Sequence, residues 1–327
     1  MARYRFLDSL RGFALLGIIL VNILSMVEAA PQPGRTVLDY TVQARFVPIF
    51  SLLFGISLYL IADGARRRSV APWKPLVLRM IGLGAAGVLH ALVFSGDILR
   101  EYAIGGALVI PLVVWAPAWV NLIIGTFLTG LSFSDVGAVI GPLPSLLLLG
   151  AAAAGLGLPA RIEASPMPGV AMAVVGGVAA VPLMSAYLHA GGGDPRFAKG
   201  GISAGLAMAL LYIGLLALLW RLPSVRRALR ACFEPLGRMS LTNYVTASVV
   251  VAVLLRAGAL GPQTSMPALM LAAIGIIAAQ SAISRIWLSR LRYGPLEWLL
   301  RAVTWRTVPP LRRRRPDERA LDTVGAG

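Results

Sequence analysis

The chain has 327 residues, 57% of them apolar and only 13% charged, with a mean hydropathy of +0.78. Soluble domains carry about a quarter charged residues, so composition argues against a soluble globular protein and predicts an all-α, polytopic membrane protein. The net charge of +16 does not point to nucleic acid, because the basic residues lie in short clusters between apolar runs, the pattern that orients helices in a bilayer.

The first apolar run, Leu10 to Val27, is flanked by Arg3 and Arg5 and followed by Val27-Glu28-Ala29, which has the look of a secretory signal. Asp8 in its basic flank, its length and the close Pro31 favour a retained first helix instead. Further spans are predicted over Phe46–Ala62, Pro75–Ser95, Ile98–Trp115, Trp119–Ile140, Leu143–Leu158, Pro168–Leu188, Gly200–Trp220, Ser240–Leu255 and Met266–Ile283. Between Tyr102 and Ala160 the only charge is Asp135, and turn signals at Trp115–Trp119 and Gly141–Pro144 divide that tract into three helices.

Charge sets the count at ten. With both termini in the cytoplasm, ten spans place Arg66–Arg68, Lys74, Arg161, the Arg221–Arg230 cluster and Arg312–Arg315 on the inner side. Merging two spans would move the last two clusters outside. The expected organisation is a transmembrane bundle over 1–283, an amphipathic interfacial segment over 284–311 with a helix from Ser284 to Trp305, and a basic, disordered tail over 312–327. Glycines such as Gly82, Gly84 and Gly87 read as close-packing positions. Cys232, the single cysteine, sits among basic residues and reads as an inert cytosolic thiol.

Chemistry-bearing residues are few. The topology puts both histidines toward the outer side: His90 late in the third span and His189 at the end of the seventh. A histidine within a span is costly and can exchange a proton near neutral pH, which makes His90 the leading candidate. His189, at the water boundary, reads first as a solvated residue. Asp97 lies seven residues after His90, on the same face if the helix continues; if Gly96 breaks it, Asp97 caps the next helix instead. Tyr102, Arg100 and Glu101 crowd the same turn.

On the inner side, Asp8 falls where the first helix needs an N-cap and Arg11 follows one turn later. The pair either anchors that helix or joins Arg5 and Arg79 in an anion site at a helix N-terminus. A second such terminus reads EPLGRMSLTNYVTAS: Ser240 is the expected N-cap, Gly237 frees the backbone and Arg238 adds charge. Thr242, Asn243 and Tyr244 then serve as helix-to-helix glue or as ligand contacts. No metal-ligand cluster, nucleotide-binding loop or hydrolase elbow occurs, and no metal is expected.

Five stretches in order, LDSLRGFALLGIILVNI, FSLLFGISL, LHALVFSGDILREYAIGG, GRMSLTNY and RYGPLEWLLRAVTW, resemble the YeiB-like family of bacterial membrane proteins. That family is grouped with the transmembrane acyltransferases, alongside heparan-alpha-glucosaminide N-acetyltransferase. The resemblance implies a multi-pass protein of the bacterial cytoplasmic membrane, with acyl-coenzyme A, probed first as acetyl-CoA, as co-substrate. It also implies a catalytic pair of His90 and Asp97. The carrier would rest on Arg5, Asp8, Arg11, Arg79, Arg238, Asn243 and Tyr244, with Tyr102 and His189 on the acceptor side. The acceptor would be a hydroxyl or amine on a glycan, lipid or secreted metabolite, and a homodimer is compatible with it. Phe94 and Ala247 depart from the family pattern, which usually has tryptophan and glutamine at those places. A transporter or flippase for a lipid-linked or small anionic molecule is the alternative, and a structural membrane subunit a third.

Overall fold

The computed structural model describes residues 4–29, 32–133 and 142–312, and among these the chain is helical with no β-strand. The predicted positions of Pro31, Asp135 and Gly141 and of the tail beyond Arg312 lie outside the described residues. Every predicted apolar run that is described contains a helix, for the reason lipid imposes: a spanning segment must satisfy its own backbone hydrogen bonds.

The first run becomes α1 (Arg5–Met26), which starts a turn before the predicted limit. A short α2 (Arg35–Thr41) leads through Ala44, at a left-handed φ of 62°, into α3 (Phe46–Arg66). Next come α4 (Trp73–Ala91), α5 (Leu99–Trp115) and α6 (Ala118–Leu131). The predicted sixth span is broken: α7 (Leu143–Gly155) and α8 (Leu158–Ala164) meet at 61° about Gly157, whose φ of 76° ends the first helix. The hairpin of α9 (Met167–His189) and α10 (Lys199–Leu219) follows, and then the short α11 (Pro223–Cys232) and α12 (Glu234–Arg238). Last come α13 (Ser240–Arg256), α14 (Met266–Arg290) and α15 (Pro295–Trp305).

Among the described residues, five stretches are long and apolar enough to cross a bilayer: α1, the joined α2–α3, α9, α10 and α14. They are six if α7 and α8 count as one span. The single amphipathic helix expected over Ser284–Trp305 is corrected. Its first part is the end of α14, and α15 starts only after a break at Leu291–Gly294. The break is held by a bridge between Leu291 and Arg312 and by Arg292 N–H donating to the Leu311 carbonyl at 2.9 Å.

The core forms around α1, which packs against α3, α10, α11, α12, α13 and α14. Small residues set these approaches. A methyl at Gly12 would strike the Phe233 carbonyl, and one at Gly237 the Asp8 carbonyl, so α1 and α12 touch backbone to backbone. Gly55 and Gly150 play the same part between α3 and α7. On the periphery, α9 packs on α10 and α8 and turns Val174, Val175, Val178 and Val181 outward.

Candidate functional site

α4 ends one residue after His90, and the turn that follows brings Asp97 back beneath it. His90 Nδ1 and Asp97 Oδ1 are 2.7 Å apart, with side-chain exposures of 1% and 0%. The helix does not continue to Asp97, so the pair forms across a turn rather than along one helix face, and Asp97 Oδ2 also accepts the Leu99 N–H at 3.1 Å and so opens α5. Gly87, one turn before His90, leaves room for that carboxylate: a methyl there would crowd Asp97 Oδ2 and the Arg100 backbone nitrogen. With the carboxylate accepting from Nδ1–H, the imidazole presents Nε2 as a base. That nitrogen is buried and has no hydrogen-bond partner among the described residues. Buried nitrogens are rarely left so, and a catalytic role is one of the recognised reasons for it.

Tyr244 completes the group from α13. Its hydroxyl donates to Asp97 Oδ1 at 3.4 Å, and its ring lies 5.1 Å from the imidazole. Phe94 stands edge-on to the imidazole at 6.3 Å. Tyr244 and Leu99 also line a cavity of about 60 Å³ together with Tyr102, Phe54, Leu83 and Arg79. Arg79 lies eleven residues before His90 on α4, about 16 Å along the helix axis. Its guanidinium faces Phe54 at 6.0 Å, and its buried Nε has no hydrogen-bond partner among the described residues. Tyr102 is fixed in this lining, its hydroxyl 2.8 Å from Ser51 Oγ and 3.3 Å from the Val47 carbonyl it donates to.

The other expected positions are placed differently. Asp8 is not the N-cap of α1, because the helix begins at Arg5 and Asp8 lies inside its first turn. The Phe6 N–H is taken instead by Glu163 Oε1 of α8 at 3.1 Å. Arg11 binds Asp8 at 3.3 Å and donates to Ser57 Oγ at 2.6 Å, tying α1 to α3. Arg5 is exposed.

Ser240 likewise does not cap α13, whose N-cap is Met239. Glu297 reaches over from α15: Oε1 accepts the Leu241 and Thr242 N–H groups at 2.7 and 3.0 Å, and Oε2 accepts the Thr242 hydroxyl at 2.6 Å. Both helix N-termini that the sequence offered to an anion are therefore held by the chain's own glutamates, which the helix dipole favours equally well. Burial pushes the Glu297 carboxyl above its ordinary range, an effect only partly offset by the Thr242 hydroxyl and the amides.

Asn243 is committed to packing, donating to the Leu236 carbonyl at 3.2 Å and pairing with Ser284 at 3.0 Å. Arg238 donates to the Arg292 carbonyl at 3.3 Å. His189 is exposed on α9, with Nδ1–H donating to the Ser185 carbonyl at 2.7 Å, and it does not join the His90 group. Near it the Gly191–Gly193 turn is braced by Tyr187, which donates to the Gly193 carbonyl at 2.5 Å. Burial draws Asp194 upward, but the Arg196 side chain and amide with Gln43 outweigh it and hold the carboxyl below its usual range.

The fold and these contacts define a helical membrane protein with a buried Asp–His–Tyr group, whose tyrosine also lines a small cavity shared with Arg79. A family model described as "Protein of unknown function (DUF418)" matches residues 169–307. The chain is 32% identical to the uncharacterized 39.9 kDa protein in the amylase 3' region of Bacillus acidopullulyticus, over 95% of this chain and 96% of the relative. It is 26% identical to the uncharacterized protein YxaH of Bacillus subtilis (strain 168), covering 94% and 96% of the two chains. For the uncharacterized protein YeiB of Escherichia coli (strain K12), the values are 28%, 95% and 98%. The chain belongs to this YeiB-like family.

Proposed function

We propose that the protein is an acyltransferase of the bacterial cytoplasmic membrane, moving an acyl group, with acetyl as the first to test, from cytosolic acyl-coenzyme A to an acceptor hydroxyl or amine. The observation that carries this reading is the partnerless Nε2 of His90, paired through Nδ1 with Asp97, whose neighbour Tyr244 lines a cavity together with Arg79. In the ten-span arrangement that belongs to this reading, α4, α5, α6 and α13 complete the crossing set. Arg79 then lies toward the inner face and His90 toward the outer.

His90 Nε2 would take the proton of the acceptor as its oxygen or nitrogen attacks the thioester carbonyl carbon. The new C–O or C–N bond forms, the C–S bond breaks, and the imidazolium returns its proton to the departing thiolate. Asp97 holds the tautomer and stabilises the imidazolium, as the buried acid does in other Asp–His pairs. Tyr244 fixes Asp97 and closes the space against water.

The test is mass spectrometry of surface glycans, lipids and secreted metabolites from cells with the protein, without it, and with His90→Gln. A mass difference of one acyl unit that depends on His90 is expected, and it names acyl group and acceptor together. A difference that persists in a well-folded His90→Gln protein overturns the assignment.

A further inference from the structure

A concavity larger than the one Tyr244 lines lies elsewhere in the molecule. It is a groove of about 550 Å³ between α11, α12 and the end of α14, walled by Arg227, Arg230, Arg238 and Arg285. We propose that these arginines form a binding site for a small molecule carrying two or more phosphate groups.

Several observations converge on this. The volume falls in the range of about 300–1,000 Å³ that holds small-molecule ligands, far more than one inorganic ion needs. Among the described residues, four arginines on three helices line one space with one carboxylate, Glu234, which lies 3.6 Å from Arg230. Like charges gathered in this way repel one another, and a multiply charged anion relieves the repulsion. Guanidinium forks also match phosphate oxygens in pairs. The floor is apolar, with Leu288 buried and Pro235 beside it, and suits a ring or hydrocarbon attached to the phosphates. Arg285 and Arg238 are braced by the Ala231 and Arg292 carbonyls at 2.6 and 3.3 Å, so these two are held in position.

The groove is also mechanically close to the His90 group. Its α12 touches α1 backbone to backbone at Gly237, and the helix that follows α12 carries Tyr244 to Asp97. For the identity of one ligand, coenzyme A, the inference rests on the acyl-transfer reading. The phosphate chemistry stands without it.

The experiment uses the full chain in phosphatidylcholine nanodiscs, titrated calorimetrically with coenzyme A and separately with inorganic pyrophosphate. A third arm uses discs containing cardiolipin, whose headgroup carries two phosphates, and reads retained lipid by native mass spectrometry. Binding of both soluble probes is expected, weakened about tenfold or more by Arg227→Glu or Arg230→Glu, the scale of losing a charged hydrogen bond. Arg161→Glu, which changes net charge equally outside the groove, should have no effect. Lipid retention lost in the same two variants, with no soluble binding, supports the groove and assigns the phosphate to a headgroup. No binding in any arm, or equal weakening by Arg161→Glu, overturns the site. His90→Gln should leave coenzyme A affinity unchanged. Binding without acyl transfer would thus refute the proposed function and spare the groove, whereas His90-dependent transfer with unaltered affinity in Arg227→Glu would do the reverse.

Discussion

Replacing Glu297 by alanine would remove the acceptor of the Leu241 and Thr242 amides and of the Thr242 hydroxyl. Each charge-assisted bond contributes about 1.5–3 kcal/mol, and water entering the vacated space recovers part of the sum, so a net loss of about 3–4 kcal/mol is expected. Glu297→Gln keeps a carbonyl oxygen for the two amides and asks only that the Thr242 hydroxyl reorient, at a cost of about 1 kcal/mol or less. The informative quantity is the difference of about 2–3 kcal/mol between the variants. It can be measured by dodecyl sulfate-driven unfolding in mixed micelles, followed by tryptophan fluorescence. Hydrogen exchange at Leu241 and Thr242 should accelerate in the alanine variant alone. Because burial raises the folded carboxyl above its value in the unfolded chain, the native state holds this proton more tightly. Wild-type stability should therefore decline as pH rises from the ordinary carboxylate range through the raised value, and the glutamine variant should lack that decline. Alanine and glutamine variants agreeing within about 0.5 kcal/mol would refute the capping role.

Asp97→Asn should leave the fold intact and lower acyl transfer by about three to four orders of magnitude through the wrong histidine tautomer; a turnover assay retaining a tenth of the wild-type rate would speak against the dyad. Gly237→Ala drives a methyl into the Asp8 carbonyl and should cost about 3 kcal/mol or more, whereas Gly275→Ala, with nothing within 4 Å, should stabilise α14 by about 0.5–1 kcal/mol in the same unfolding assay. Asp194→Asn should lose under about 1 kcal/mol at neutral pH, since the Arg196 pair is partly solvated. Asp194 is held below its unfolded value, so the difference from wild type should vanish as pH falls beneath the carboxylate range, seen as exchange of the Arg196 amide.

Much of the helical layout was legible because hydropathy is a property of long runs. The starts of α3, α5, α9, α10, α13 and α14 fall within a residue or so of the expected limits. α14 outran its predicted end at Ile283 because Arg285 and Arg290 interrupt the apolar run without interrupting the helix, and cations suit a helix C-terminus. The His90–Asp97 pair was expected from a spacing of seven along one helix, but α4 ends at Ala91 and the two meet across a turn, so that one carboxylate both meets the imidazole and opens α5. Glu163 and Glu297 were invisible as caps. They act on amides 157 and 56 residues away, and no local pattern announces such a partner. The phosphate groove was hidden for the same reason: Arg227, Arg238 and Arg285 meet only after α11, α12 and α14 have folded together. At the start of α1, the contact of Arg11 with Ser57 of α3 was likewise not legible, because the two lie 46 residues apart.

The seam between α1 and α12 sets a schedule for biogenesis. The first helix leaves the ribosome roughly 200 residues before Gly237 does, an interval of ~10–40 s at ordinary rates of synthesis. Throughout that wait its small-residue face, with the Asp8–Arg11 pair, has no mate from the later half of the chain. An insertase or neighbouring early helix must shelter it until the late helices arrive. Assembly of this protein is thus a closing of the circle, in which the earliest element is the last to be completed.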